Sequence, residues 1–227
     1  LLGSTIEAIH ITASKKETAR ILAENGIPVV PTYPARAAVP VAAHGWVVKP
    51  DDGAGAEDTW LFRDAAEMRR WLREETQANN HVIQPYLEGR AASLSGLVLD
   101  GAVRVLTCNT QDIVVEQSKF RYRGGVVGGF EKRRPALTPI ADAVAKAIPG
   151  LWGYVGIDLV DTDEGPVVLE VNPRLTTSYV GLAATIGTNP AGLVLDLLKA
   201  GAGLAAEPGS VRPVPVRVDD GPEVSRA

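Results

Sequence analysis

In VVLEVNPRLTTSY (167–179), Glu170, Asn172 and Arg174 fall at every second position of an otherwise apolar run. Successive side chains of a strand point to opposite faces, so these three point the same way. The preceding GIDLVDTDEGP (156–166) supplies a partner strand, with Asp163, Glu164 and Gly165 as a three-residue loop and glycine where a left-handed backbone is wanted. In that register Asp158 lies directly across from Glu170, their β-carbons about 5 Å apart, and Asn172 continues the same face. Two carboxylates opposed in an apolar sheet repel. Three readings are open: a cation between them, Glu170 paired with Arg174, or one acid protonated. Oxygen donors alone, without thiol or imidazole, suit Mg²⁺, which takes one or two carboxylates and completes its shell with water and phosphate oxygens.

Cations stand at two other places. Lys15 and Lys16 open a helix, where a positive side chain meets the positive end of the macrodipole, a cost that a bound anion would reverse. Two solvated surface lysines are the alternative. Lys49 ends the strand GWVVK (45–49) and runs into PDDGAGA (50–56), where Gly53 and Gly55 free backbone N–H groups to cradle phosphate. A plain hairpin connection gives the same pattern. The three histidines, His10, His44 and His81, fall in unrelated segments, so no Ser/His/Asp or Cys/His arrangement is indicated.

The elements that must position these residues follow from periodicity. Residues 12–28 read as a helix with Ser14 as N-cap and Glu17 completing a capping box, ended by Gly26 and Pro28. Residues 64–77 read as a second helix with Met68, Trp71 and Leu72 on one stripe. HVIQPYL (81–87) is an apolar strand broken by Pro85. Asp100-Gly101 marks a hairpin between strands at 93–99 and 103–109. A polar, basic loop is expected over 117–129, helices over 138–148 and 191–198, and a Gly-, Pro- and Glu-rich tail from Gly201 in which VRPVPVRV is a candidate edge strand.

At 227 residues the chain can bury roughly 70% of its unfolded surface without disulfide or structural metal. A 45% hydrophobic, 22% charged composition with net charge −4 describes an ordinary globular protein with no call for a nucleic-acid partner. Cys108 is alone, which excludes an internal disulfide and thiolate metal sites. The apolar run at 141–160 is interrupted by Lys146, Pro149, Gly150 and Asp158, so no membrane span or membrane partner is expected, and the setting is read as cytoplasmic. The chain begins at Leu1 with no charged-then-apolar leader, which leads us to expect a truncated or processed chain without a signal peptide.

A lysine before a helix, a lysine at a strand end before a glycine turn, an apolar strand leading into a linker and an acid hairpin ending in Asn-Pro-Arg recur together in one family. Over about residues 1–198 the sequence resembles the ATP-grasp superfamily of carboxylate–amine ligases. The resemblance implies an α+β fold of two lobes, each with an antiparallel sheet and helices, gripping nucleotide and Mg²⁺ between them. Residues 1–13 would end a preceding N-terminal domain, 14–86 form the first lobe, 87–200 the second, and 201–227 a tail. ATP and Mg²⁺, with Mn²⁺ as a substitute, are the implied cofactors. Lys15, Lys49 and the turn around Gly53 and Gly55 would contact phosphates, and backbone around Gln84, Tyr86 and Leu87 would hold adenine. Asp158, Glu170 and Asn172 would be metal ligands. Arg174, with Lys49, would face the transferred phosphate or the substrate carboxylate, which its planar fork matches.

This sequence departs from the family where Ala91 and Ala92 stand in place of an acid that commonly holds the ribose. Within the superfamily, KPDDGAGAEDT and NPRLTTSYVGL look most like the tyramine–glutamate ligase group of methanofuran biosynthesis. The implied partners are then a small-molecule acid, glutamate first, and an amine, tyramine first, with a homodimer as one candidate assembly. A carboxylase component, an α-amino-acid ligase and a non-catalytic ATP-binding module are the rival readings. Lys119, Arg121, Tyr122 and Arg123 are candidates for a mobile substrate loop, or for a solvated basic one.

Overall fold

The computed structural model describes residues 2–53, 55–75, 78–199, 203–204 and 209–218. Two short helices open the chain. In α1 (Ile6–Ala13) Thr5 is the N-cap, and in α2 (Lys15–Glu24) the Ser14 hydroxyl accepts from the Glu17 N–H at 3.1 Å. Only that half of the expected capping box forms. The Glu17 carboxylate turns to Arg20, and the Ser14 N–H donates to the Ile11 carbonyl. Gly26, at φ 69°, follows the end of α2.

The strands among the described residues, in chain order, are β1 (Tyr33–Pro34), β2 (Trp46–Pro50), β3 (Trp60–Phe62), β4 (His81–Pro85), β5 (Arg90–Leu99), β6 (Ala102–Glu116), β7 (Lys119–Val127), β8 (Gly153–Thr162), β9 (Gly165–Asn172) and β10 (Val214–Arg217). They share one sheet in the order β1-β4-β2-β3-β7-β6-β5-β8-β9, with β10 added to β7, and all these pairings are antiparallel. Between β3 and β7 the sheet narrows to one register pair, Trp60 with Lys119, where the Lys119 ammonium lies 4.2 Å from the Trp60 ring centre. On one side of this neck α3 (Ala65–Glu74) packs Met68, with Trp71 and Leu72 beside it, against Trp46, Val48, Phe62 and Ile83. On the other, α4 (Arg134–Ala147) and α2 cover the larger core, and Leu22 and Ile27 meet Val168 and Val171 of β9. Two further helices, α5 (Tyr179–Ile186) and α6 (Pro190–Asp196), follow β9. Among the described residues no helix is long and apolar enough to cross a membrane.

Several boundaries differ from expectation for identifiable reasons. Asp64, read as the first residue of the second helix, is the N-cap of α3, which ends at Glu74, and Thr76 and Gln77 lie outside the described residues. Helix α4 starts a turn earlier than residue 138, with Pro135 in its first turn, where a missing N–H costs nothing, and Pro139 inside it. Residues 1–13, read as the tail of another domain, contain a helix that buries Ala8 in the main core. Most of the Gly- and Pro-rich tail lies outside the described residues, whereas its VRPVPVRV segment forms β10 as an edge strand.

The largest correction concerns 117–129, expected as a basic loop and folded as β7. Gln117 and Ser118 take φ of 49° and 65°, so they make the tight hairpin turn that glycine or asparagine usually makes. Nor do the glycines beyond them mark flexibility. A β-carbon on Gly124, at φ 121°, would stand 2.1 Å from the Val216 carbonyl oxygen, and one on Gly125 would stand 2.1 Å from that of Thr110. Both exist to let β10 and β6 approach. Gly125→Ala is therefore expected to destabilise the fold by about 1–3 kcal/mol, lowering the melting temperature by roughly 2–12 °C, whereas Gly3→Ala, with open space around it and no left-handed backbone to strain, changes stability little. Thermal melts of the two variants check this.

Candidate active site

A cleft of about 350 Å³ opens between β2–β4 and the face of β6–β9. Every site residue drawn from the sequence lines it: Lys15, Lys49, Gly53, Gly55, Gln84, Tyr86, Leu87, Asp158, Glu170, Asn172 and Arg174.

Asp158 and Glu170 are register partners, as the hairpin required, but by another route. The connection is a two-residue turn, with Thr162 paired to Gly165, and the register then shifts between Asp158 and Leu159. Leu169 is the extra residue of a β-bulge. The bulge turns two consecutive side chains, Leu169 and Glu170, into the cleft while Val168 and Val171 on either side both enter the core. Strict alternation would have placed Leu169 in the core.

Hydrogen bonds fix the acids in a chain. Gln111 Nε2 donates to Asp158 Oδ1 at 2.8 Å, Asn172 Nδ2 to Asp158 Oδ2 at 2.9 Å, and Arg174 Nη2 to Asn172 Oδ1 at 3.0 Å. The charge partner of Glu170 is Lys15, whose Nζ is 3.9 Å from Oε1, rather than Arg174. Burial and then the Glu170 charge push the Asp158 carboxyl up to about 6, against the Gln111 hydrogen bond and Lys49. Burial likewise pushes the Lys49 ammonium down to about 8, with Lys15 adding to the shift and Glu170 opposing it. Glu170 thus has Lys15, not Arg174, beside it, and Asp158 is the acid more prone to hold a proton.

The two lysines at the start of α2 divide. Lys16 is exposed, whereas Lys15 is 5% exposed and its Nζ donates to the Gly53 and Asp51 carbonyls at 2.6 and 3.2 Å. At the linker, Gln84 is buried and its side chain donates to Thr32 Oγ1 at 2.9 Å. The Tyr86 N–H donates to the Gly45 carbonyl, which removes that group from ligand binding and leaves Leu87. Glu88 is paired with His44 at 3.2 Å, and Ala91 lines the cleft where an acid was looked for. Of the four candidates on β7, Tyr122 faces the cleft and hydrogen-bonds Thr177, with burial raising its hydroxyl pKa. Arg121 and Arg123 pair with Glu116 on the rim, and Lys119 stacks on Trp60. They are strand residues, not a mobile loop.

Gln111 and Leu169 escaped sequence reasoning. Gln111 lies beyond residue 109, where the expected strand stopped, though its parity with Asn109 would have pointed to it. Leu169 was hidden by the bulge. Among the described residues no group of three or more His, Cys, Asp or Glu gathers into a metal cage. Two carboxylates and one carboxamide oxygen remain, a hard, incomplete oxygen set that fits Mg²⁺ and leaves room for substrate oxygens.

Lys15, Lys49 and a glycine turn thus share one cleft with an acid pair and an arginine. The chain belongs to the ATP-grasp domain family, which matches residues 12–178. It is 29% identical over 189 residues to the tyramine–L-glutamate ligase of Methanocaldococcus jannaschii, covering 83% of this chain and 50% of that one. To the enzyme of the same name from Methanocaldococcus fervens it is 34% identical over 103 residues, 45% of this chain and 33% of that one. The structure of an ATP-grasp superfamily protein from Archaeoglobus fulgidus matches with a TM-score of 0.70 at 28% identity, covering 100% of this chain and 64% of the other. The chain thus spans half the length, or less, of the curated relatives it matches.

The raised Asp158 pKa fixes a sign. The folded protein holds a proton between about pH 4 and 6 that the unfolded chain, with an ordinary aspartate, releases, so this stability is present at low pH and lost as pH rises through about 6. In EDTA, the melting temperature of the wild type relative to Asp158→Asn is expected to rise between pH 7.5 and pH 5. A difference that is flat or falls over that range contradicts the assignment.

Proposed function

We propose that this protein is an ATP-dependent ligase that joins the carboxylate of an amino acid to an amine through an acyl phosphate. The observation that carries the reading is the convergence of Lys15, Lys49, the acid pair, Asn172 and Arg174 on one cleft beside Gly53 and Gly55. Val47, Leu87 and Leu169 provide an apolar end for a purine base, and the Leu87 N–H a donor to its edge. Lys15 and Lys49 set positive charge against the triphosphate. Asp158, Glu170 and Asn172 would hold Mg²⁺, which when bound neutralises phosphate charge.

In the first displacement a carboxylate oxygen attacks the γ-phosphorus, the bond to the bridging oxygen breaks, and ADP leaves with that oxygen. Arg174 holds the entering carboxylate or the transferred phosphoryl by its planar fork. The depressed Lys49 pKa suits a group that meets the triphosphate, since phosphate charge raises it again. In the second displacement the amine nitrogen attacks the acyl carbon, the carbon–oxygen bond to phosphate breaks, and the nitrogen gives up a proton. The walls of the cleft keep water from the acyl phosphate between the two steps.

Glutamate as the acid and tyramine as the amine are our specific assignment, supported by the names of the relatives and by a cleft mouth lined with Thr176, Thr177, Ser178 and Tyr122 beside Arg174. Glutamate labelled with heavy oxygen in its carboxylates, incubated with the protein, ATP, Mg²⁺ and tyramine, is expected to give ADP and phosphate carrying one labelled oxygen. Label in AMP would exclude the acyl phosphate. Turnover with other acids but never glutamate overturns the substrate and leaves the ligase class.

A further inference from the structure

Asp51, two residues beyond Lys49, meets the start of α2 twice with its carboxylate. Oδ2 accepts from the Ser14 hydroxyl at 2.7 Å and Oδ1 from the Lys16 N–H at 2.9 Å. Its carbonyl accepts from the Lys15 N–H at 3.1 Å and from Lys15 Nζ at 3.2 Å. That ammonium also donates to the Gly53 carbonyl at 2.6 Å. Across the strands, the Asp51 N–H donates to the Asn80 carbonyl at 2.8 Å. The anion that the positive end of α2 favours is therefore the chain's own.

An ammonium has three donors, and on its four-carbon stem it is otherwise a freely moving charge. Two of the Lys15 donors go to the carbonyls of Asp51 and Gly53, leaving the third for the cleft, with Glu170 Oε1 at 3.9 Å. Both carbonyls sit on the turn that the Asp51 carboxylate fastens to α2. Without that carboxylate, of the bonds described only the Lys15 N–H to the Asp51 carbonyl ties the backbone of the turn to the helix that bears Lys15.

We propose that Asp51 is a positioning residue that locks the glycine turn to the start of α2, so that Lys15 is aimed at nucleotide phosphates before they arrive. The proposal rests on the nucleotide reading of the cleft. It acts through Lys15, so the effect is confined to the phosphate end of a ligand and depends on that lysine.

The test is calorimetric titration of the protein with ADP in Mg²⁺ and, separately, with adenosine. Asp51→Ala is expected to weaken ADP binding about tenfold or more, the usual worth of charge-assisted hydrogen bonds, while adenosine binding stays within about twofold. Asp51→Asn, which keeps an acceptor for the Lys16 N–H, loses less, and it carries the comparison if Asp51→Ala does not fold. In a Lys15→Ala background the loss of Asp51 is expected to cost under about threefold more. Equal losses for ADP and adenosine, or the same tenfold loss with and without Lys15, overturn the proposal. Wild-type binding of ADP with an unaffected Asp51→Ala also overturns it and leaves the nucleotide reading standing. A wild type that binds neither ligand sinks both.

Discussion

Asp158 and Glu170 stand opposite one another on adjacent antiparallel strands, and the rest of the cleft answers that placement. Two unit charges about 5 Å apart repel by about 3 kcal/mol at an effective dielectric constant of 20. Lys15, almost wholly buried and 3.9 Å from Glu170, opposes that repulsion at Glu170. The protein adds a second lysine on β2, two carboxamide donors on Asp158 and a proton-prone Asp158. Each is a partial remedy, and together they hold an arrangement that an apolar sheet would otherwise reject.

These remedies come from segments far apart in the chain, which sets what the fold must do. Lys15 arrives on a helix packed behind β9, Lys49 at the end of a strand beyond the neck, and Gln111 from the middle of the long β6–β7 hairpin. The acid hairpin is held between β5 and the core, with Val168 and Val171 buried among α2 and α4 side chains. The side bearing Lys49 is joined to it through the single sheet pair Trp60–Lys119, the linker after β4 and the contacts of Asp51 and Gly53 with the start of α2.

Much of this was legible in sequence, for reasons that can be stated. Period-two placement exposed Glu170, Asn172 and Arg174 because three polar residues on an apolar strand have no structural motive. Asp100-Gly101 gave the first hairpin because its turn demands positive φ at both positions, and both take it. The acid register emerged correctly although the turn was read one residue too long. The bulge at Leu169 restores the count, and nothing in local composition announces a bulge. Where glycines serve a neighbouring strand, as at Gly124 and Gly125, sequence alone reads a loop. That reading fails because the strands they admit, β6 and β10, are distant in the chain or faintly patterned. Asp51 was taken as part of a turn, since its partners on α2 lie in another segment.

The network among these groups is saturated yet exchangeable, and that combination bears on what the cleft is for. Asn172 gives its amide to Asp158 and its carbonyl oxygen to Arg174, while Lys15 gives two donors to backbone carbonyls. A purely structural network of buried polar groups gains by being closed to exchange, since an unsatisfied member costs about 1–3 kcal/mol. Here the groups satisfied by another side chain line an open cleft, where Lys15, Lys49 and Arg174 stand among the carboxylates of Asp158, Glu170 and Glu57. Such a set holds its shape with protein partners alone and can trade them for a ligand of the opposite sign without leaving a charge buried and bare. Under the function proposed, a nucleotide polyphosphate with its metal brings that sign, Arg174 releases the Asn172 oxygen to a metal, and Lys15 turns its third donor to phosphate. Under that function the like-charge pair is the feature of the cleft that calls for a cation.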